Sequence, residues 1–195
     1  MVQNSDAEDL VERQTQKRRH VVELLLASEP QWASAHSTTL THFLEQYSVH
    51  DSSWIGVWIG PLEEQAILAF EWDAFWTQGR VPYPSNQVAY WPTLLIRLSK
   101  LILYYYDKHD QLPYGSSHVD DAETRAVTSE EREQLLTGFS GNLKLASSGT
   151  DFLFAEDLVF TAVTGDMGQW HFLHSNHVDV LCLSEDGESI PIPGV

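Results

Sequence analysis

The sequence predicts an α+β fold in which helices come first and an antiparallel β-meander comes last. Three observations carry this. Leu40, Phe43, Leu44 and Tyr47 recur at the spacing of a buried helical stripe. Pro92 precedes the run Leu94 to Tyr106, in which Leu94, Leu95, Leu98, Leu101, Ile102 and Tyr105 share one helix face. From Asn142 onward the apolar segments shorten, fill with Val, Phe, Leu and Ile, and are punctuated by Gly149, Gly165, Gly168 and Gly187. The length of 195 residues suits a single domain over 1–195. Its helical part, of four to five helices, spans about 5–140. Its β-rich part spans about 142–193 and packs on a central helix.

Taken in order, Ser5 and Glu8 have capping-box spacing, and Val21, Val22, Leu24, Leu25 and Leu26 would dock a first helix over about 6–27. Ser37 caps a second helix that carries the stripe ending at Tyr47. Trp54 to Ile59 reads as a short strand or extended connection. Gly60–Pro61 then opens a buried helix over Leu62–Trp76, with Glu63, Glu64 and Gln65 in its first turn. Pro82 and Pro84 make 81–86 a loop. The central helix runs from Pro92 to about Asp107. Leu112 to Thr128 is polar, contains Gly115, Ser116, Ser117 and Asp120–Asp121, and reads as a long surface loop. Thr128 and Glu131 repeat the capping-box spacing ahead of a short helix with Leu135 and Leu136. Strand-like segments follow at 142–146, 151–154, 157–163, 169–174, 177–183 and 189–192.

The formal net charge is −17. Residues 1 to 19 balance, so the excess lies in the body. Between Leu145 and Val195 there is no Lys or Arg, while Asp151, Glu156, Asp157, Asp166, Asp179, Glu185, Asp186 and Glu188 are spread among the strand-like segments. Such a surface repels nucleic acid and anionic membrane and attracts basic partners. The longest apolar run is broken by Arg97, Ser99 and Lys100 and is too short to span a bilayer. The N-terminus lacks an apolar signal core, so a cytoplasmic location is expected. The lone Cys182 forms no internal disulfide and reads as a small buried residue.

Chemistry-bearing motifs are few. Ser175–Asn176 suits a two-residue hairpin turn that would bring His174, His177 and Asp179 onto one face, a first shell for zinc or a non-haem metal. The acidic pairs Glu63–Glu64, Asp120–Asp121, Glu130–Glu131, Glu156–Asp157 and Glu185–Asp186 are adjacent in sequence, so their side chains diverge on a helix or strand. No nucleophile elbow, phosphate loop or dinucleotide fingerprint occurs. The expectation is therefore a non-enzymatic acidic binding protein with no cofactor. It would dock a basic protein, such as a toxin domain, through Asp120, Asp121, Asp151, Glu156, Asp157, Asp166, Glu185 and Asp186. Bacterial immunity proteins share this general character of composition: small, cytosolic, acidic and free of catalytic motifs. Two other readings stand beside it. One is a metal-dependent enzyme built on His174, His177 and Asp179. The other is an assembly protein that oligomerises through the Trp-rich segment 54–76. The sequence specifies no oligomeric state.

Overall fold

The computed structural model describes residues 12, 15–16, 19–23, 32–60, 64–73, 91–108, 118–142, 156–166, 168–184 and 187–195. Among these the chain is mostly β. A helical stretch at 19–23 and a 3-10 turn at Trp32–Ser34 lead into β1 (His36–Thr39) and α1 (Leu40–Gln46). The strands β2 (Ser53–Gly60), β3 (Gln65–Glu71), β4 (Thr93–Leu98), β5 (Leu103–Lys108) and β6 (Val119–Ala126) follow. After α2 (Ser129–Asn142) come β7 (Leu158–Gly165), β8 (Gly168–Ser175), β9 (His177–Leu183) and β10 (Ser189–Ile190).

These strands make two antiparallel sheets. The larger runs β1-β9-β4-β3-β2, with β10 also paired to β9; the smaller runs β5-β8-β7-β6. One two-stranded ribbon serves both. Chain 93–108 pairs with chain 168–183 in a single register, from Thr93↔Leu183 to Lys108↔Gly168. The ribbon bends at Ser99–Ile102, where Lys100 takes a left-handed φ of 51°. Across the bend, the Ser175 amide donates to Ser99 O (3.1 Å) and the Ile102 amide donates to Leu173 O (2.8 Å). At the far side the edges meet again: Ser53 bridges His118, and the Val119 amide donates to Ser52 O at 2.8 Å.

Burial explains why these segments are strands. In the larger sheet, Leu68, Phe70, Leu94, Ile96, Leu98, Val178, Val180 and Cys182 face the main core, with Leu40, Phe43, Tyr47 and Trp72. Its opposite face carries Ala69, Leu95, Leu181 and Leu183, covered by Val21 and Trp32. A sheet buried on both faces loses the polar alternation of a half-exposed one. The α1 helix closes one side of the main core. Thr39 caps it, accepting from the His42 amide at 3.1 Å. Phe43, Tyr47 and Trp72 pack as an aromatic trio with centroids 5.5 to 6.0 Å apart.

The helices-first expectation is therefore overturned. The stretch taken as helical, about 5–140, contains β1 to β6. The proposed central helix at 92–107 is β4, the bend and β5. Its apparent helical stripe arose because two-sided burial makes Leu94, Leu95, Ile96 and Leu98 apolar without alternation. The helix proposed over 62–76 holds β3, and the proposed loop at 112–128 holds β6. Polarity hid β6 because its outward positions are Asp121, Glu123 and Arg125. The helix opened by Thr128 is present as α2, with a reciprocal box: the Glu131 amide donates to Thr128 Oγ1 (3.2 Å) and the Thr128 amide to Glu131 Oε2 (2.9 Å). The strand segments at 157–163, 169–174, 177–183 and 189–192 correspond to β7, β8, β9 and β10. Segment 151–154 lies outside the described residues.

Candidate functional site: the outward face of the smaller sheet

The smaller sheet turns one face to the core and one outward. Val163, Phe172 and Trp170 point inward. Pairing register places the outward residues in three rows across β5-β8-β7-β6. The first row is Leu103, Leu173, Phe160 and Arg125. The second is Tyr105, His171, Ala162 and Glu123. The third is Asp107, Gln169, Thr164 and Asp121. Among the described residues the first row alone is covered in depth: Leu103, Leu173 and Phe160 join Leu158, Val127 and Leu135 of α2 in a small apolar cluster.

Beyond α2 the face opens into a groove of about 600 Å³ lined by Tyr105, His171, Ala162, Phe160, Glu123 and Arg125. Small Ala162 sets its floor. On one side the Tyr105 and His171 rings stack, centroids 4.1 Å apart and planes 11° from parallel. Tyr105 is 49% exposed. Partial burial holds the His171 pKa below its ordinary value, against the pull of Asp107. On the other side the Arg125 guanidinium lies 5.0 Å above the Phe160 ring. Its fork is committed: Nη1 and Nη2 donate to Glu131 at 2.9 and 2.7 Å. Those bonds, with the Thr128 amide, bring the Glu131 carboxyl down to about 2. Glu123 is exposed, and among the described residues no cation lies within ion-pair distance of it. Among the described residues the face thus carries carboxylates at Asp107, Asp121 and Glu123 and one cation, Arg125, paired with Glu131.

The residues singled out from sequence fall in several places. Asp120 and Asp121 are exposed on β6, and the Ala122 amide donates to Asp121 Oδ1 at 2.8 Å. Asp120 joins a cluster at the seam between the sheets: His118 Nε2 lies 3.1 Å from Asp51 Oδ1 and 3.9 Å from Asp120 Oδ1, and His50 Nδ1 lies 3.1 Å from Asp51 Oδ2. Asp166 borders the same seam through its amide, which donates to His118 O at 3.1 Å. Gly165 permits that approach, since a Cβ there would stand 2.3 Å from His118 O. Glu156 and Asp157 lie at the opposite end of β7, roughly 30 Å along the strand from Asp166 at 3.3 Å per residue. The Asp157 carboxylate accepts the Ser175 hydroxyl, which lowers its pKa. Asp120, Asp121 and Asp166 therefore gather at one end and Glu156 and Asp157 at the other. Asp151, Glu185 and Asp186 lie outside the described residues.

His174, His177 and Asp179 are not brought together. The chain does not turn back at Ser175–Asn176; β8 runs on into β9, and His174 pairs with Val159 while His177 pairs with Thr39. His174 is fully buried. Its Nδ1–H donates to Ser175 O at 2.6 Å, leaving Nε2, 2.8 Å from Thr161 Oγ1, to accept that hydroxyl. Burial pushes its pKa down to about 4, against the raising effects of the Ser175 carbonyl and Asp157. Asp179 accepts from Arg97 Nε and Nη2 at 3.0 and 2.5 Å and from Ser37 Oγ at 2.6 Å. Burial alone would raise its pKa, but these three bonds together lower it. Among the described residues no three His, Cys, Asp or Glu side chains are placed to hold a metal ion. Trp54 packs on Phe70 at 4.6 Å, Trp58 joins the apolar cluster on the outer face of the larger sheet, and Trp72 is fully buried.

Sequence reasoning placed Tyr105 on the central helix and His171 on an inward face, and gave no site role to either or to Asp107, Glu123 and Ala162. The available signal was the alternation of Asp121, Glu123 and Arg125 with Ala122, Thr124 and Ala126, which is a strand pattern in polar residues. No helix among the described residues is long and apolar enough to cross a membrane. The chain matches no protein-family model, and comparison with curated proteins and with solved structures gives no match.

Proposed function

We propose that this protein is an acidic binding protein whose smaller sheet docks a basic protein through its outward face, with neutralisation of a basic toxin domain as the activity such a face suits. The observation that carries the reading is the composition of that face. Exposed Tyr105 offers aromatic area, Asp107, Asp121 and Glu123 carry negative charge, and Arg125 is already spent on Glu131. Rigid aromatics supply slow dissociation, and complementary charge supplies fast encounter. A strand scaffold paired on both sides at β7 and β8 holds these groups in place before the partner arrives, which lowers the ordering cost of binding.

The test is capture from native cells with covalent cross-linking. The intact chain should retain a protein of basic pI. An Asp121→Lys/Glu123→Lys double variant should lose it, and a Glu45→Lys/Glu188→Lys control should keep it. Retention by the first variant, or capture of acidic partners only, would overturn the reading.

A further inference from the structure

We infer that the groove over Ala162 is a receptor for one arginine side chain of the partner; this rests on the docking reading and specifies its central contact. The second row of the sheet sets the dimensions. His171, Ala162 and Glu123 are aligned on neighbouring strands, so at about 4.8 Å per strand His171 and Glu123 stand about 10 Å apart with only a methyl group between them. That gap admits a flat group lying over Ala162, with a ring on one side and a carboxylate on the other.

The chemistry selects the occupant by charge and then by shape. Among the described residues lining the groove the one cation is Arg125, and both of its terminal nitrogens are bonded to Glu131, so an anion gains little there. It would also face Glu123, with Asp121 and Asp107 in the next row. A cation meets the reverse. Among cations the walls distinguish arginine from lysine. The Tyr105–His171 pair and the Phe160 ring are flat aromatic surfaces, and Phe160 already carries one guanidinium, that of Arg125. A second guanidinium can stack on the aromatic wall while its N–H fork reaches Glu123. An ammonium is compact and strongly hydrated and gains less from such a wall.

Titration of the full chain with Nα-acetyl-arginine N-methylamide, followed by amide chemical shifts, tests this. Shifts should be confined to the neighbourhood of Tyr105, Glu123, Phe160 to Ala162 and His171. The lysine analogue should bind more weakly by about fivefold or more, and the uncharged citrulline analogue should not bind. Glu123→Gln should weaken arginine binding by about tenfold, since the charge-assisted bond is lost. Ala162→Leu should abolish binding by filling the floor. Equal arginine and lysine affinities, with shifts spread over Asp120 and Glu156–Asp157, would overturn the inference, as would no binding at all. The two proposals separate in the capture experiment. If Ala162→Leu still holds the partner while Asp121→Lys/Glu123→Lys loses it, the arginine receptor is wrong and the docking face stands; if both hold it, the docking face is wrong.

Discussion

The two sheets share one bent ribbon and differ in what covers them. The larger sheet is covered on both faces, with the main core on one side and, on the other, an apolar cluster of Val21, Trp32 and their neighbours beside the Ser37–Asp179–Arg97 polar row. The smaller sheet shares the main core on its inner face, but outside, among the described residues, it is capped only over the row nearest α2. The rest of that face is a groove with stacked rings and carboxylates. The same ladder register thus carries a structural sheet at one end and an open polar face at the other. Stability should be concentrated in the first, and substitutions on the outer face of the second should cost little.

The largest expected contrast is in core truncation. Phe70→Ala removes a ring that is 1% exposed and should cost about 3–5 kcal/mol in denaturant unfolding. The matched change on the open face, Tyr105→Ala, supplies the lower bound below. Equal losses from the two would erase the distinction between the sheets.

Next in size is a pH effect on the inner face of the smaller sheet. His174 has a folded pKa of about 4, against about 6.5 when unfolded. Above pH 6.5 both states are neutral there and the residue adds no pH dependence. As pH falls from 6.5 to 4 the unfolded chain takes up a proton that the folded chain refuses, so stability is lost. The linkage amounts to about 3 kcal/mol by the bottom of that window. Unfolding of the wild type and of His174→Gln, compared at each pH, should show this slope only in the wild type. Parallel curves would remove the burial account.

A smaller effect is expected at α2, which bounds the groove. Thr128→Ala deletes the hydroxyl that accepts the Glu131 amide and should cost about 1 kcal/mol, read from thermal or denaturant unfolding. No change would mean that the capping box does not fix the helix. The smallest stability effect is that of Tyr105→Ala, under about 0.5 kcal/mol. A loss above 2 kcal/mol there would show that Tyr105 is a packing residue and not a docking one.

This contrast also explains what the sequence disclosed. Thr128 with Glu131 announced α2 because a cap is a local device that tertiary packing does not need to complete. The strands β7 to β10 were visible as short apolar runs, with Gly165, Gly168 and Gly187 marking their bounds, although the turn read between β8 and β9 does not exist. By contrast, β4 was misread as helix because residues such as Leu94, Leu95 and Ile96 are buried on opposite faces, and a continuous apolar run does not distinguish the two periods. The opposite error hid β6, whose outward Asp121, Glu123 and Arg125 gave polarity in place of amphipathicity. Of the candidate site, Asp121 was anticipated from charge. Tyr105, His171 and Ala162 were not: Ala162 and His171 meet across the β7–β8 hairpin, but Tyr105 joins them only by pairing with a strand more than 50 residues on, and its own segment reads as helix. The metal grouping of His174, His177 and Asp179 assumed a turn at Ser175–Asn176. There the chain instead bends and continues from one sheet into the other without turning back, sending His174 into the interior and Asp179 to Arg97.

The central claim is that the outward face of the smaller sheet, and not acidity in general, receives the partner. Its most direct test is the association rate constant with the captured basic protein across a salt series, for wild type, Asp121→Lys/Glu123→Lys and Glu45→Lys/Glu188→Lys. Both double variants change the net charge equally. The account predicts a rate for wild type and for the Glu45/Glu188 variant that falls steeply with salt, and a slow, salt-insensitive rate for the Asp121/Glu123 variant. Equal slowing by the two variants would contradict it.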